Sequence, residues 1–485
     1  MNQKHAVLGL GIENLALTKY LAARGYHITV CDNRNQAALG HRYKLLQKLG
    51  VDFRLGPDYL KDLEDFSLLY RSPGLPLFQP ELIKATANGV IITSAMRLFL
   101  ELCPCPIIGV TGTKGKGTTS TLIFKILKLH QENLGRQAYL GGNIGIAPFE
   151  FIEGLQPEDR VVLELSSFQL EDFDRSVDIA VITNITEDHL APADPLNPNY
   201  HKSRPDYIRA KANLFRHQKP GGLTILNVND PTSRELIPQV PEKLYTYGSL
   251  PLVNGAWFAK QQTGDYSVFW NVNGEPEFVI NSSSIQVRGE HNLLNISAAA
   301  LACHGAGAGL GPIREGISGY TGLEHRLEYV ATVNGIQFFD DSFATAPDPT
   351  IVALKAFTEP IILIAGGADK GHDYTGLGEE IVKSAVKTVV LIGTMGPKIG
   401  EAIRQAGMHL GKPAPKLAEG GINMGEIFSK AISNARSGDI VLLSTACASF
   451  GLFNNYKERG DLFKAEVKKL QDSNGSKKRP HFFHK

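Results

Sequence analysis

The stretch Gly109-Val110-Thr111-Gly112-Thr113-Lys114-Gly115-Lys116-Gly117-Thr118-Thr119 constrains this chain more than any other. The apolar run Pro106-Ile107-Ile108 precedes it, and Leu122-Ile123-Phe124-Lys125-Ile126-Leu127 follows it. That order reads as buried strand, glycine-rich loop and helix, the setting of a phosphate-binding loop. Glycines let backbone N–H groups approach phosphate oxygens, and the helix N-terminus adds favourable partial charge. Lys116 supplies a cation for β- and γ-phosphates. The general pattern puts Ser or Thr directly after that lysine to meet Mg²⁺. Gly117 stands there instead, so Thr118 is the expected metal-side hydroxyl. An ordinary Gly/Thr-rich turn is the plain alternative, and the strand–loop–helix context weighs against it. The expected ligand is ATP, cradled by Gly112, Thr113, Lys114, Gly115, Lys116, Gly117 and Thr118.

A chain of 485 residues suggests about three domains. Its formal charge of +1 gives no bulk electrostatic case for nucleic acid or an acidic membrane. No apolar run is long enough to span a bilayer, and no N-terminal signal pattern stands out. The five cysteines are odd in number and scattered, which fits a reducing cytoplasm better than a disulfide framework. Cys103-Pro104-Cys105 reads as linker; a metal or redox pair would be expected to have a second pair.

The expected fold is α/β throughout. Ala6–Leu8, Gly9-Leu10-Gly11, Leu15–Arg24 and His27–Cys31 read as strand, turn, helix and strand, with Asp32 closing the second strand. This is half of a Rossmann signature, but Asn14 replaces its third glycine. A NAD site and a nucleotide-binding domain that is not a dehydrogenase both fit. A second α/β block contains the phosphate loop and the short apolar strands Val161–Leu165 and Ile179–Thr183. Segments Leu223–Val228 and Trp257–Ile280 look antiparallel, and Asn292–His304 reads as an Ala-rich helix. A third open sheet is expected from Ile336–Phe339, Ile361–Ala365, Thr388–Ile392 and Ile440–Leu443. The expected domains are 1–100, 101–322 and 323–472, followed by a disordered basic tail over 473–485.

Ligands in open α/β sheets gather at the carboxyl ends of strands. Glu164, at the end of one apolar strand, would sit beside the phosphate loop and suits Mg²⁺, a hard cation. Asn184-Ile185-Thr186-Glu187-Asp188-His189 ends the next, with a possible metal-ligating histidine; a satisfied polar histidine is the plainer reading. In Tyr207–Phe215, the helical period puts Ile208, Leu214 and Phe215 toward a core and Lys211 on a solvated face.

These motifs together resemble the Mur ligases over about residues 5–470. The most specific match is Leu163-Glu164-Leu165-Ser166-Ser167-Phe168-Gln169-Leu170-Glu171. Gly141-Gly142-Asn143-Ile144-Gly145, Asn184–His189, Gly322–Glu328, Gly366–Gly371, Ala446–Phe450 and Asn455–Gly460 accompany it. The resemblance, strongest to the D-glutamate-adding branch, implies a Rossmann-like UDP-substrate domain, a central P-loop ATPase domain and a Rossmann-like amino-acid domain. It implies phosphorylation of a carboxylate on UDP-N-acetylmuramoyl-L-alanine, then attack of D-glutamate on the acyl-phosphate, in peptidoglycan precursor synthesis. It also implies roles. Lys116, Glu164, His189 and Lys211 would be catalytic; Thr118, Glu164, His189 and Lys211 would serve Mg²⁺, with Lys211 carbamylated. Asn292, Asn295, Arg326 and Asp341 would contact ATP. Ile12, Glu13, Asp32, Asn33, Arg34, Ser72 and Asn143 would face the UDP-linked substrate. Thr345, Lys370, Ser449 and Tyr456 would hold the amino acid. A cytoplasmic monomer is expected.

Several residues depart from the family pattern. Phe343 stands where the D-glutamate-adding branch usually has Lys, and Asp341-Ser342-Phe343-Ala344-Thr345-Ala346-Pro347 leans toward the dipeptide-adding branch. Gly117 resembles the loop of folylpolyglutamate synthase, a cousin. Glu13 and Asn14 alter the UDP turn and place a negative charge near expected phosphates. Leu190–Asp206, rich in Pro and Asn, is expected to loop out. A related ligase with another amino acid or acceptor is the alternative reading, followed by a non-catalytic scaffold; intact Lys116, Glu164, His189, Lys211 and Lys370 argue against the scaffold.

Overall fold

Short apolar strands ending in glycine turns build three sheets in this computed structural model, which describes residues 4–187, 190, 199–369 and 371–476. The chain divides into two compact units, Met1–Ser284 with Leu293–Ser318 and Ile285–Asn292 with Gly319–Lys485.

The first unit opens with β1 (His5–Leu8), β2 (Ile28–Asp32), β3 (Asp52–Leu55), β4 (Leu68–Arg71) and β5 (Ile91–Ser94), all parallel in the order β3-β2-β1-β4-β5. A larger sheet follows: β6 (Ile107–Thr111), β7 (Ala138–Gly142), β8 (Arg160–Glu164), β9 (Ile179–Ile182), β10 (Leu223–Asn227), β11 (Lys243–Gly248), β12 (Gly255–Lys260), β13 (Tyr266–Asn271) and β14 (Glu277–Asn281). Its order is β14-β13-β12-β11-β10-β9-β6-β8-β7. The chain leaves β6 for one edge, returns beside it as β8, then crosses to β9 on its other side. That reversal opens a crevice at the carboxyl end of β6, where such sheets bind ligands.

Only β12, β13 and β14 pair antiparallel; β10 is parallel to both β9 and β11, against the sequence expectation. The alternation in Leu223-Thr224-Ile225 suggests one wet face. Thr224 is nevertheless fully buried, and its hydroxyl donates to Gln218 Oε1 at 2.8 Å, so the polar position needs no water.

The two sheets of this unit share one apolar core, in which Phe99 meets Phe149 and Phe151 edge-on at 6.0 and 5.8 Å. A polar contact runs through the same junction. Arg71, at the end of β4, is almost wholly buried. Its guanidinium donates to Leu75 O at 2.7 Å and Phe168 O at 3.1 Å, with Glu171 at 3.7 Å and Asp172 at 3.6 Å. Burial raises both acids' pKa values, and Arg71 opposes the shift.

The second unit carries β15 (Glu328–Val333), β16 (Ile336–Asp340), β17 (Ile361–Gly366), β18 (Val386–Ile392), β19 (Lys416–Glu419) and β20 (Ile440–Leu443), ordered β15-β16-β20-β17-β18-β19. Only β15 pairs antiparallel. The last helix, Tyr456–Ser476, runs into the segment expected as a tail; residues 477–485 lie outside the described residues.

Candidate active site

The phosphate loop leaves β6 at Thr111 and enters the helix Lys116–Glu132 through Gly115, whose φ is +85°. The end of β9 holds it from the side. Thr183 Oγ1 and Asn184 Nδ2 donate to Lys114 O at 2.6 and 2.8 Å, and Lys114 N donates to Asn184 Oδ1 at 3.0 Å. Gly112 cannot be replaced: at φ +149° an added Cβ would lie 1.9 Å from Thr183 Oγ1. Lys116 Nζ donates to Gly112 O at 2.9 Å and Thr113 O at 3.0 Å, so the loop's own carbonyls hold the ammonium. Asn295 packs against the loop from the helix Glu290–Gly305, within 3.3 Å of Thr119 Oγ1. Asn292 is buried and donates to Arg288 O at 2.7 Å.

The helix Arg204–Ala212 docks onto this loop by two side chains one turn apart. The hydroxyls of Tyr207 and Thr113 are 2.9 Å apart, and Lys211 Nζ donates to Gly112 O at 3.0 Å. Lys211 is only 2% exposed, with its ammonium 4.6 Å from the Tyr207 ring centroid. The solvated face expected for it is wrong because the helix stops at Ala212. Leu214 and Phe215 lie beyond that end and do not mark its buried stripe. Tyr207 was missed as a site residue, although its i, i+4 spacing to Lys211 is in the sequence.

Glu164 ends β8, flanked by Val110 of β6 and Gly142 of β7. It is buried, and its Oε1 accepts from Asn143 Nδ2 at 2.9 Å. Asn143 N also donates to Glu164 O at 2.8 Å, so Asn143, expected on the UDP substrate, braces the carboxylate. Gly142 permits the turn: at φ +94° a Cβ would meet Glu164 O at 2.2 Å. A buried carboxylate one strand from a loop bearing the Thr118 hydroxyl is an oxygen donor set suited to Mg²⁺. His189 lies outside the described residues.

The segment expected to loop out partly packs in. Asn199 and His201 are buried; the His201 ring stacks on Phe168 at 4.8 Å, and its Nε2 is 2.9 Å from Ser167 Oγ. Arg204–Asp206 already belong to the helix, and residues 191–198 lie outside the described residues.

At the carboxyl ends of β1, β2 and β4, the candidate UDP residues form a connected turn. Asp32 accepts from Leu10 N at 2.6 Å and from Arg34 Nε and Nη2 at 2.8 and 2.7 Å. Burial works to raise the Asp32 carboxyl, but the hydrogen bonds from Arg34 and Leu10 win and hold it below the usual range. Ile12 and Asn33 are exposed, and Ser72 N donates to Leu8 O at 2.9 Å. Asn14 braces the turn by donating to Gly9 O at 2.8 Å and Leu8 O at 3.2 Å. The negative charge expected from Glu13 near phosphates is engaged elsewhere. Its carboxyl accepts from Gln169 Nε2, and burial pushes it up to about 7 despite that bond. Gln169 also closes a capping box with Ser166, so one side chain ties the Ser-Ser-Phe-Gln segment to the first helix.

In the second unit the candidates gather at the carboxyl ends of β16, β20 and β17. Asp341 N donates to Leu443 O at 2.8 Å, Gly366 N to Thr445 O at 2.8 Å, and Ala368 N to Ala448 O at 2.9 Å. Buried Arg459 donates to Ser342 Oγ at 2.9 Å, Ser342 O at 2.7 Å and Cys447 O at 3.2 Å. It thereby fixes the Ser342–Thr345 loop against Ala446–Ser449, a role sequence reasoning missed. Asp341 accepts from Leu327 N at 3.1 Å and Ser444 Oγ at 2.6 Å; burial pushes its carboxyl up to about 7, with those bonds opposing. Thr345 and Tyr456 are half-buried and Ser449 is buried, while Lys370 lies outside the described residues.

Three family models match this chain: the Mur ligase MurD-like N-terminal domain over residues 3–94, the Mur ligase middle domain over 110–303, and the Mur ligase glutamate ligase domain over 325–447. A protein named UDP-N-acetylmuramoylalanine--D-glutamate ligase from Symbiobacterium thermophilum is 39% identical, covering 97% of this chain and 99% of its own. One of the same name from Clostridium tetani is 35% identical, covering 97% of each. Among solved structures, the UDP-N-acetylmuramate-alanine ligase MurC of Thermotoga maritima aligns with a TM-score of 0.56 at 20% identity, over 97% of this chain and 99% of that one. MurF of Acinetobacter baumannii gives 0.56 at 17% identity, over 80% and 87%. The structural likenesses speak for the fold alone; the three domain matches and the full-length relatives go further, and the chain belongs to the Mur ligase family.

Proposed function

We propose that this chain joins D-glutamate to UDP-N-acetylmuramoyl-L-alanine, with ATP converted to ADP and phosphate, in peptidoglycan precursor synthesis. The observation that carries the reading is the docking of Tyr207 and Lys211 onto a phosphate loop flanked by buried Glu164, in a chain matched along its length by relatives of that name. A carboxylate is a poor electrophile, and phosphorylation gives it a leaving group. The acceptor carboxylate attacks the γ-phosphorus and the bond to ADP breaks. The amine of D-glutamate then attacks the acyl carbon, loses a proton and expels phosphate. The protein's task is to position charged partners and stabilise developing charge.

Lys116 and the loop N–H groups of Gly112–Thr118 serve the ATP phosphates, with Asn292, Asn295, Arg326 and Asp341 assigned as further contacts to ATP. Mg²⁺, when bound, neutralises phosphate charge; Thr118, Glu164, His189 and Lys211 would hold it. Gly112 O accepts from both Lys116 Nζ and Lys211 Nζ. Both lysine side chains therefore end at the same carbonyl of the phosphate loop, Lys116 at 2.9 Å and Lys211 at 3.0 Å. The neutral amine is the form that reacts with CO₂. Reaction with CO₂ releases a proton and leaves a carbamate, which supplies the oxygen ligands a metal needs. Ile12, Asp32, Asn33, Arg34 and Ser72 receive the UDP group, and Thr345, Lys370, Ser449 and Tyr456 the amino acid. The cytoplasm is the proposed compartment and the monomer the working form.

Labelling the acceptor carboxylate with ¹⁸O tests the chemistry. One labelled oxygen should appear in released phosphate; unlabelled phosphate would exclude the acyl-phosphate route. A ligase for another amino acid is the second reading, motivated by Phe343, and substrate competition separates the two.

A further inference from the structure

Phe343 departs from the branch pattern, and its surroundings assign it a task. The guanidinium carbon of Arg326 lies 3.8 Å from the Phe343 ring centroid. The Phe343 ring meets Tyr456 edge-on at 5.0 Å with the planes at 84°. Phe343 N donates to His325 O at 2.9 Å, and Ser342 Oγ donates to Tyr456 O at 2.7 Å. The ring is therefore held from its own backbone and from the helix that begins at Tyr456. Arg326 itself is exposed and forms no salt bridge among the described residues. Its backbone is held between two non-glycine residues in left-handed conformation, His325 at φ +62° and Leu327 at φ +46°. Such strain persists where the surroundings enforce it, often at a ligand site. Here His325 Nδ1 lies 2.7 Å from Asp340 Oδ2, and Leu327 N donates to Asp341 Oδ1.

We propose that Phe343 is a positioning residue: its ring face holds the Arg326 guanidinium, donors outward, ready for an oxyanion of the polyphosphate substrate, while Tyr456 braces its edge. The proposal rests on the assignment of Arg326 to ATP in the ligase reading. A lysine at this position would place a second cation beside Arg326. An uncharged aromatic face instead attracts the guanidinium and limits its rotamers before ligand arrives, reducing the ordering cost on binding.

The test uses the full chain with Phe343→Leu, Phe343→Tyr and Phe343→Trp, each alone and combined with Arg326→Ala. Two readouts are taken: steady-state kcat and KM for ATP, and the equilibrium Kd for Mg-ADP by calorimetry, which needs no turnover. Phe343→Leu should weaken both ATP KM and ADP Kd by roughly three- to thirty-fold, with kcat less affected. Tyr and Trp should restore wild-type values to within about twofold. In the Arg326→Ala background, Phe343→Leu should have no further effect. Equal affinities for the Leu and Trp variants, or additive effects of Phe343→Leu and Arg326→Ala, would overturn the proposal. Should Phe343→Leu not fold, Phe343→Met takes its place in both comparisons: a weakening that disappears in the Arg326→Ala background supports the proposal, and additivity overturns it. Absence of wild-type turnover would instead count against the ligase reading, and the ADP affinities would still decide the role of Phe343.

Discussion

A single carbonyl, Gly112 O, receives hydrogen bonds from two lysines on different elements, and the site's residue-scale logic starts there. Removing Lys116 deletes the cation meant for the transferred phosphoryl group, so Lys116→Ala should lower kcat at least about a hundredfold while leaving the melting temperature nearly unchanged. Retained turnover would refute the ATP assignment. Lys211 should carry CO₂: with ¹³C-bicarbonate, a carbamate carbon resonance should appear in the wild type and vanish in Lys211→Ala. Asp341 makes a stability prediction. Burial raises its carboxyl from 3.8 to about 7, so the folded state prefers the protonated form. That contribution is complete below pH 3.8 and is lost as pH rises toward 7. Asp341→Asn keeps the shape, and Ser444 Oγ can turn to accept while donating to Thr350 Oγ1. The variant's melting temperature should therefore fall less between those pH values than the wild type's; identical slopes would contradict the shift.

At the scale of elements, the junction between the first two sheets depends on Arg71. Replacing it with Met leaves Glu171 and Asp172 buried without their cation, a change worth about 3–5 kcal/mol. Chemical denaturation at neutral pH should show that loss, shrinking in acid as the two carboxylates take up protons. The same elements show what the sequence does and does not reveal. The phosphate-loop strand and helix were legible because an apolar run, a glycine cluster and a second apolar run follow each other in order. Arg71 was not legible, because its partners are about a hundred positions away and only the folded junction brings them together. Lys211 was misread from spacing because the helix end at Ala212 has no sharp sequence signal. β10 was misread because Gln218 satisfies the buried Thr224, a pairing outside the strand itself.

For the whole molecule, glycine turns at the carboxyl ends of parallel strands recur in all three sheets, and the motifs sit there in each. The family was readable from those motifs; Asn143 as a brace for Glu164 and Arg459 as a clamp on two loops needed the three-dimensional contacts. The central claim is amino-acid addition to a UDP-linked acceptor, and it is tested most directly by ADP release. Mg-ATP and UDP-N-acetylmuramoyl-L-alanine are supplied with D-glutamate or with other D- and L-amino acids in turn. ADP release that depends on both the acceptor and D-glutamate is the predicted result; release driven equally by another amino acid, or none with any pair, would contradict it.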